Sequence, residues 1–171
     1  SFSAMREDGM TEDYRVNFGV ELPRLQEFAK EIQSSSKGES EGLSSLAQQL
    51  WNERVRECRI LATMLYPPEQ FDGDLADLWM QSVRTVELAQ MAAFHLFSRM
   101  PRATDKAFQW IATDSDILQI AGYYILANIL RTRPLNDRSA QELRDQAEAA
   151  LASDNYSLRQ AAQRTLARLE S

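Results

Sequence analysis

The chain has 171 residues, of which 44% are hydrophobic and 26% charged, close to the averages of a globular domain and far from collagen-like, disordered or disulfide-rich compositions. Its one cysteine, Cys58, has no partner for an internal disulfide, which fits a reducing compartment and a cytoplasmic location. The net charge of -6 argues against a non-specific nucleic-acid binder unless basic residues are segregated within the fold, because such binding draws on phosphate neutralisation.

Residues 1–20 are polar with scattered Met, Tyr and Phe, and read as an irregular or partly helical lead-in to one domain spanning 1–171. From Leu22 the apolar positions Leu22, Leu25, Phe28, Ala29 and Ile32 fall three or four apart, the spacing of an amphipathic helix. Pro23 sits in its first turn, where a missing N–H costs nothing. Ser34 to Gly38 ends it, and Gly42 closes a linker. Leu43–Trp51 and Arg54–Leu65 follow as a short and a longer helix, stopped by Tyr66-Pro67-Pro68. Leu75–Val83 is short, and Val86–Met100 is longer, more apolar and halted by Pro101. Thr104–Thr113 is short, and Asp114-Ser115-Asp116 offers capping side chains for Ile117–Leu130. That last run is the longest apolar stretch, but Gln119, Gly122 and Asn128 interrupt it, and no segment approaches the roughly 20 residues needed to span a bilayer. Pro134 and Asn136-Asp137 form a loop, and Ser139–Leu151 and Ser157–Leu169 make the final pair around Ser153-Asp154-Asn155.

A short helix, a tight turn and a longer helix, repeated every 30 to 40 residues or so, predict an all-α fold: an α-α superhelix of four to five HEAT-like or armadillo-type hairpins. The segments FQWIATDSDILQIAGYYILANI and AEAALASDNYSLRQAAQRTLARL share an apolar helix, an acidic or serine-bearing turn and then L-x-x-A-(A/G). An ordinary helical bundle is the alternative. If the second helices line the concave face, charge is segregated: segments 53–65, 83–102, 114–133 and 154–171 carry +4 together, leaving -10 for the rest. Arg54, Arg59, Arg99, Arg131, Arg159, Arg164 and Arg168 are then candidates for a basic groove taking duplex DNA or a protein segment. Cations near helix C-termini also follow from the macrodipole, which accounts for Arg99, Arg131 and Arg168 without a ligand.

Three stretches, FGVELPRLQEFAKEI from Phe18, LAQQLWNERVRECRILATML and F-x-W-I-A-T-D-S-D-x-x-x-x-x-A-G, resemble the AlkD-like DNA alkylation repair proteins, which are HEAT-repeat DNA glycosylases. The most specific parts are the G-V-x-x-P-x-L opening (Gly19, Val20, Pro23, Leu25) and the E-x-R-x-L-A helix (Glu57, Arg59, Leu61, Ala62). The resemblance implies duplex DNA in the concave groove and hydrolysis of the glycosidic bond of a cationic alkylated purine. In that chemistry a carboxylate stabilises the developing oxocarbenium ion, tryptophans pack on the charged base and an arginine holds a phosphate.

Aligned through AFHLF, the family's first tryptophan falls on Val86, its neighbour on Glu87, the catalytic aspartate on Gln90, the phosphate-binding arginine on Ile120 and the last tryptophan on Arg164. An amide supplies no negative charge, valine has no π-face and isoleucine binds no phosphate. Glu87 is the one acid nearby, three residues before Gln90 and about 60° away around the helix; a solvated glutamate favoured by the helix dipole is its plainer reading. The sequence therefore leans against enzymatic activity. It favours a degenerate scaffold or binding module, with weak nucleic-acid binding in the groove; the alternative is a divergent alkylpurine glycosylase using Glu87. An interaction adaptor with no nucleic-acid role is a third reading, suited to the acidic total.

No metal or cofactor is expected: one histidine (His95) and one cysteine form no zinc cluster, and no Gly-rich phosphate loop is present. His95 reads as a packed or groove-edge residue. Cys58 lies between Arg54 and Arg59, cations that would lower its pKa, although a buried helical cysteine is the simpler account. Trp51, Trp79 and Trp110 read as core, and one of Tyr123 and Tyr124 must turn from it.

Overall fold

The computed structural model describes residues 18–36 and 40–171, so most of the 1–20 lead-in and the Lys37-Gly38 break lie outside the described residues. Nine α-helices are described: α1 (Leu22–Ser36), α2 (Ser40–Asn52), α3 (Arg56–Leu65), α4 (Gly73–Met80), α5 (Val86–His95), α6 (Ala103–Ile111), α7 (Asp116–Leu130), α8 (Asp137–Ala150) and α9 (Tyr156–Glu170). No strand occurs among the described residues. The protein is all-α, built as a superhelix of helical hairpins. The longer helices α3, α5, α7 and α9 pack one on the next in an inner row, with α1 against α3 at one end. Against that row α2 packs on α3, α6 on α7 and α8 on α9.

Side-chain caps start several of these helices. The oxygens of Asp72, Thr85, Ser115, Asn136 and Asn155 accept hydrogen bonds from the amides of Leu75, Leu88, Leu118, Ser139 and Leu158, at 2.8–3.3 Å. Each satisfies an amide that a helix start leaves without an intrahelical acceptor. Among the three capping residues offered by 114–116, the fold uses Ser115.

Three boundaries differ from the expected ones. Gly42 lies inside α2 rather than in a linker. The helix expected from Arg54 begins at Arg56, because Arg54 takes a left-handed φ of 57° and Val55 is extended. The run from Val86 to Met100 divides: α5 ends at His95, Leu96 leaves the helical region at φ -128°, and Phe97–Arg99 forms a 3-10 turn. Met100, preceding Pro101, is extended, as the proline ring requires of its neighbour.

The tryptophans are buried, as expected, and form an aromatic spine. Trp51 and Trp79 stack at 4.1 Å between centroids; Phe71 meets Trp79 edge-on at 4.9 Å; Phe71 and Phe97 stack at 5.7 Å; and Phe97 meets Trp110 at 5.5 Å. This ties the outer helices α2, α4 and α6 to the turn after α5. Arg59 is part of the same core. Its guanidinium lies 4.4 Å from the Trp51 ring and donates to the main-chain carbonyls of Trp51 and Ser82.

Tyr123 is fully buried on α7, and its hydroxyl has no hydrogen-bond partner among the described residues. Burial pushes its pKa up to about 12. A buried hydroxyl without a partner is a net cost of about 1–3 kcal/mol. Tyr123→Phe is therefore expected to leave stability unchanged or raise it by about 1 kcal/mol in urea denaturation. A loss of that size would mean that the hydroxyl is satisfied.

Candidate functional site

Side chains spaced three and four apart on one helix share a face. On the inner row, Gln90, Met91 and Phe94 of α5, Tyr124, Ala127 and Asn128 of α7, and Arg164, Ala167 and Arg168 of α9 share one cavity of about 470 Å³. A second cavity of about 520 Å³ adjoins it and shares Phe94 and Asn128. Its other walls come from the segments after α5 and α7, including Ser98, Arg99, Arg131, Thr132 and Arg133.

Five arginines, Arg99, Arg131, Arg133, Arg164 and Arg168, thus line the two cavities, and no carboxylate among the described residues does. All five are exposed, and among the described residues none sits in an ion pair. Arg131 holds its guanidinium 5.9 Å from the Phe94 ring. Concentrating like charges with no counter-charge is unfavourable within a Debye length; it yields a surface that attracts anions.

Of the arginines expected to form a groove, Arg99, Arg131, Arg164 and Arg168 come together here. Arg54, Arg59 and Arg159 lie elsewhere. Arg59 is 4% exposed, in the core. Arg159 donates to the Ser153 carbonyl at 2.8 Å and stacks on Tyr156. Arg54 occupies the left-handed turn between α2 and α3.

The residues aligned with the family's site separate in the same way. Gln90 and Arg164 reach the first cavity. Ile120 is fully buried and Val86 nearly so, both in the apolar core. Glu87 is engaged by Arg56, whose Nε and one terminal nitrogen donate to its two carboxylate oxygens at 2.7 and 2.8 Å. The other terminal nitrogen of Arg56 donates to the Val20 carbonyl and to Glu57, at 2.8 and 2.9 Å. Glu57 in turn accepts from the amides of Phe18 and Val20 at 3.0 and 3.1 Å. The hydrogen bonds that Arg56 donates to Glu87 hold its pKa well above the ordinary value, against the opposing effect of burial. Burial pushes the Glu57 carboxyl up, but the amide hydrogen bonds and Arg56 outweigh it and its pKa is lowered. Both oxygens of Glu87 are thus committed to a guanidinium.

Two further residues behave differently from their sequence context. The Cys58 thiol is pushed up, first by burial and then by Glu53 and Glu57, so the flanking arginines do not activate it. Burial lowers the His95 pKa, with Arg99 acting in the same direction, and the ring lines a separate small cavity with Gln33, Met64 and Tyr66. Sequence reasoning missed Phe94, Asn128 and Arg133. Phe94 stands four residues after Gln90, and Asn128 four after Tyr124, so helical spacing from Gln90 and Tyr124 would have found both.

A family model described as DNA alkylation repair enzyme matches residues 5–169. Compared with curated proteins and with solved structures, the chain finds no match. No helix among the described residues is long and apolar enough to cross a membrane.

Proposed function

Because the chain belongs to the DNA alkylation repair enzyme family, we propose that its inner face is a nucleic-acid-binding groove from which base excision has been lost. The observation that carries this reading is the set of five arginines lining two adjoining cavities, with no carboxylate among the described lining residues. Oxocarbenium-like chemistry needs an anion beside the sugar. Gln90, at the position that the resemblance gives to that anion, is neutral, and Glu87 is neutralised by Arg56. The arginines also disfavour a cationic base: two like charges about 5 Å apart repel by about 3 kcal/mol at an effective dielectric of about 20. Phosphates meet the opposite sign of the same field. The protein is then a binding module acting on the nucleic-acid backbone.

Titrating labelled oligonucleotides at increasing salt tests this. If each of the five arginines neutralises one phosphate, log K should fall against log salt with a slope of about -3.5 for a single strand or -4.5 for a duplex. Replacing Arg99, Arg131 and Arg164 together by Gln should reduce the steepness of that slope by about 2 to 3. Duplex carrying N7-methylguanine should release no free base. Release of base would overturn the loss of excision. Binding that ignores salt, or no binding, would overturn the nucleic-acid reading and leave a protein segment as the occupant.

A further inference from the structure

Resting on that reading, we infer that the groove holds a single strand, with one base stacked on Phe94. Phe94 is 39% exposed and, among the described residues, is the one aromatic ring shared by both cavities, with Tyr124 lining only the first. Two groups flank the ring: Arg131 lies 5.9 Å from its centroid, and the neighbouring His95 meets it edge-on at 5.1 Å and 84°. Other large exposed apolar side chains, such as Leu78 and Leu151, line neither cavity.

The arginines are distributed around that ring. Arg164 and Arg168 belong to the first cavity, and Arg99, Arg131 and Arg133 to the second. Each cavity falls within the range of about 300–1,000 Å³ seen for small-ligand sites, and two such hollows side by side match two successive nucleotides better than the smooth rod of a duplex. A duplex turns its phosphates outward and keeps its base faces stacked inside, so it offers nothing for Phe94 to cover. A single strand offers both: a π-face for the ring and phosphates on either side for the arginines. That combination of an aromatic platform and a cationic channel is how strands are held without sequence preference.

The test uses the full chain, a single-stranded oligonucleotide of about ten nucleotides and its duplex, measured by fluorescence anisotropy. The single strand should bind more tightly. Phe94→Ala should weaken single-strand binding by about 5- to 150-fold, the loss of one stacked base, and leave duplex binding unchanged. Phe94→Trp should restore it, and its indole emission should be quenched on addition of the strand. Thermal melting of both variants checks that they fold. If the duplex binds as tightly as the strand, or Phe94→Ala changes neither, the stacking inference falls while the anion-binding groove stands. If neither nucleic acid binds, both readings fall together.

Discussion

Replacing Arg56 by methionine should destabilise the fold by about 3–5 kcal/mol, the range observed when one partner of a buried ion pair is removed. The side chain is only 5% exposed and supplies hydrogen bonds to Glu87, Glu57 and the Val20 carbonyl. Methionine fills much of the same volume, so the loss is electrostatic: a buried Glu57 and a largely buried Glu87 are left without a counter-charge. The triple variant Arg56→Met, Glu57→Gln, Glu87→Gln should recover a large part of the deficit, because it removes the charges together with their partner. Urea denaturation of the single and triple variants checks both statements. A single variant within about 1 kcal/mol of the parent would show that the network contributes no more than a surface pair.

Acid should weaken the same network. The folded-state pKa of Glu57 lies below its unfolded value, so its contribution is fully present above the ordinary glutamate range. It is lost as pH falls through the folded-state value. The affected contacts are those holding Phe18 and Val20 against α3, so the segment leading into α1 should loosen first.

The second large effect is expected at Gly122, where α7 crosses α6. A Cβ there would stand 2.8 Å from Cγ2 of Ile111 and 2.9 Å from the main-chain carbonyl oxygen of Ala107. Two terms oppose each other in Gly122→Ala. Alanine is the better helix former by about 1 kcal/mol, whereas overpacking costs about 1–3 kcal/mol. Overpacking should win. The isoleucine methyl can shift, but the Ala107 oxygen belongs to helix backbone and moves only if α6 moves. A net loss of about 1–2 kcal/mol is expected for Ala and a larger one for Val. Because α7 carries Tyr124 and Asn128 to the first cavity, the displacement should also weaken the binding proposed there. An alanine variant that melts above the parent would show that the two helices can part without cost.

Much of the architecture was readable from local pattern. Apolar spacing located every described helix to within a few residues, since a helix must bury one stripe whatever its partner is. Pro101 marked the end of the α5 region, and Ser115 was among the capping residues expected. The break at Leu96 was not readable. The residues from Val86 to Phe97 include no glycine or proline, and nothing in their order marks the bend that turns Phe97 into the aromatic spine.

The arginines show the boundary most clearly. Composition and helix class brought seven of them forward as equals, because charge along the chain does not reveal which way a side chain turns. Arg59 lies on the inner helix α3 and Arg99 in the turn after the inner helix α5; the first is enclosed by Trp51 and Ser82, the second is exposed and lines a cavity with Phe94. Glu87 looked like a solvated acid or a spare catalyst, and Arg56, 31 positions earlier, claims both its oxygens. Helix positions and caps depend on neighbours within a turn or two, and those are written along the chain. Which charges are neutralised, which are buried and which gather around one ring depends on groups brought together from separate helices, and distance through space is set by packing.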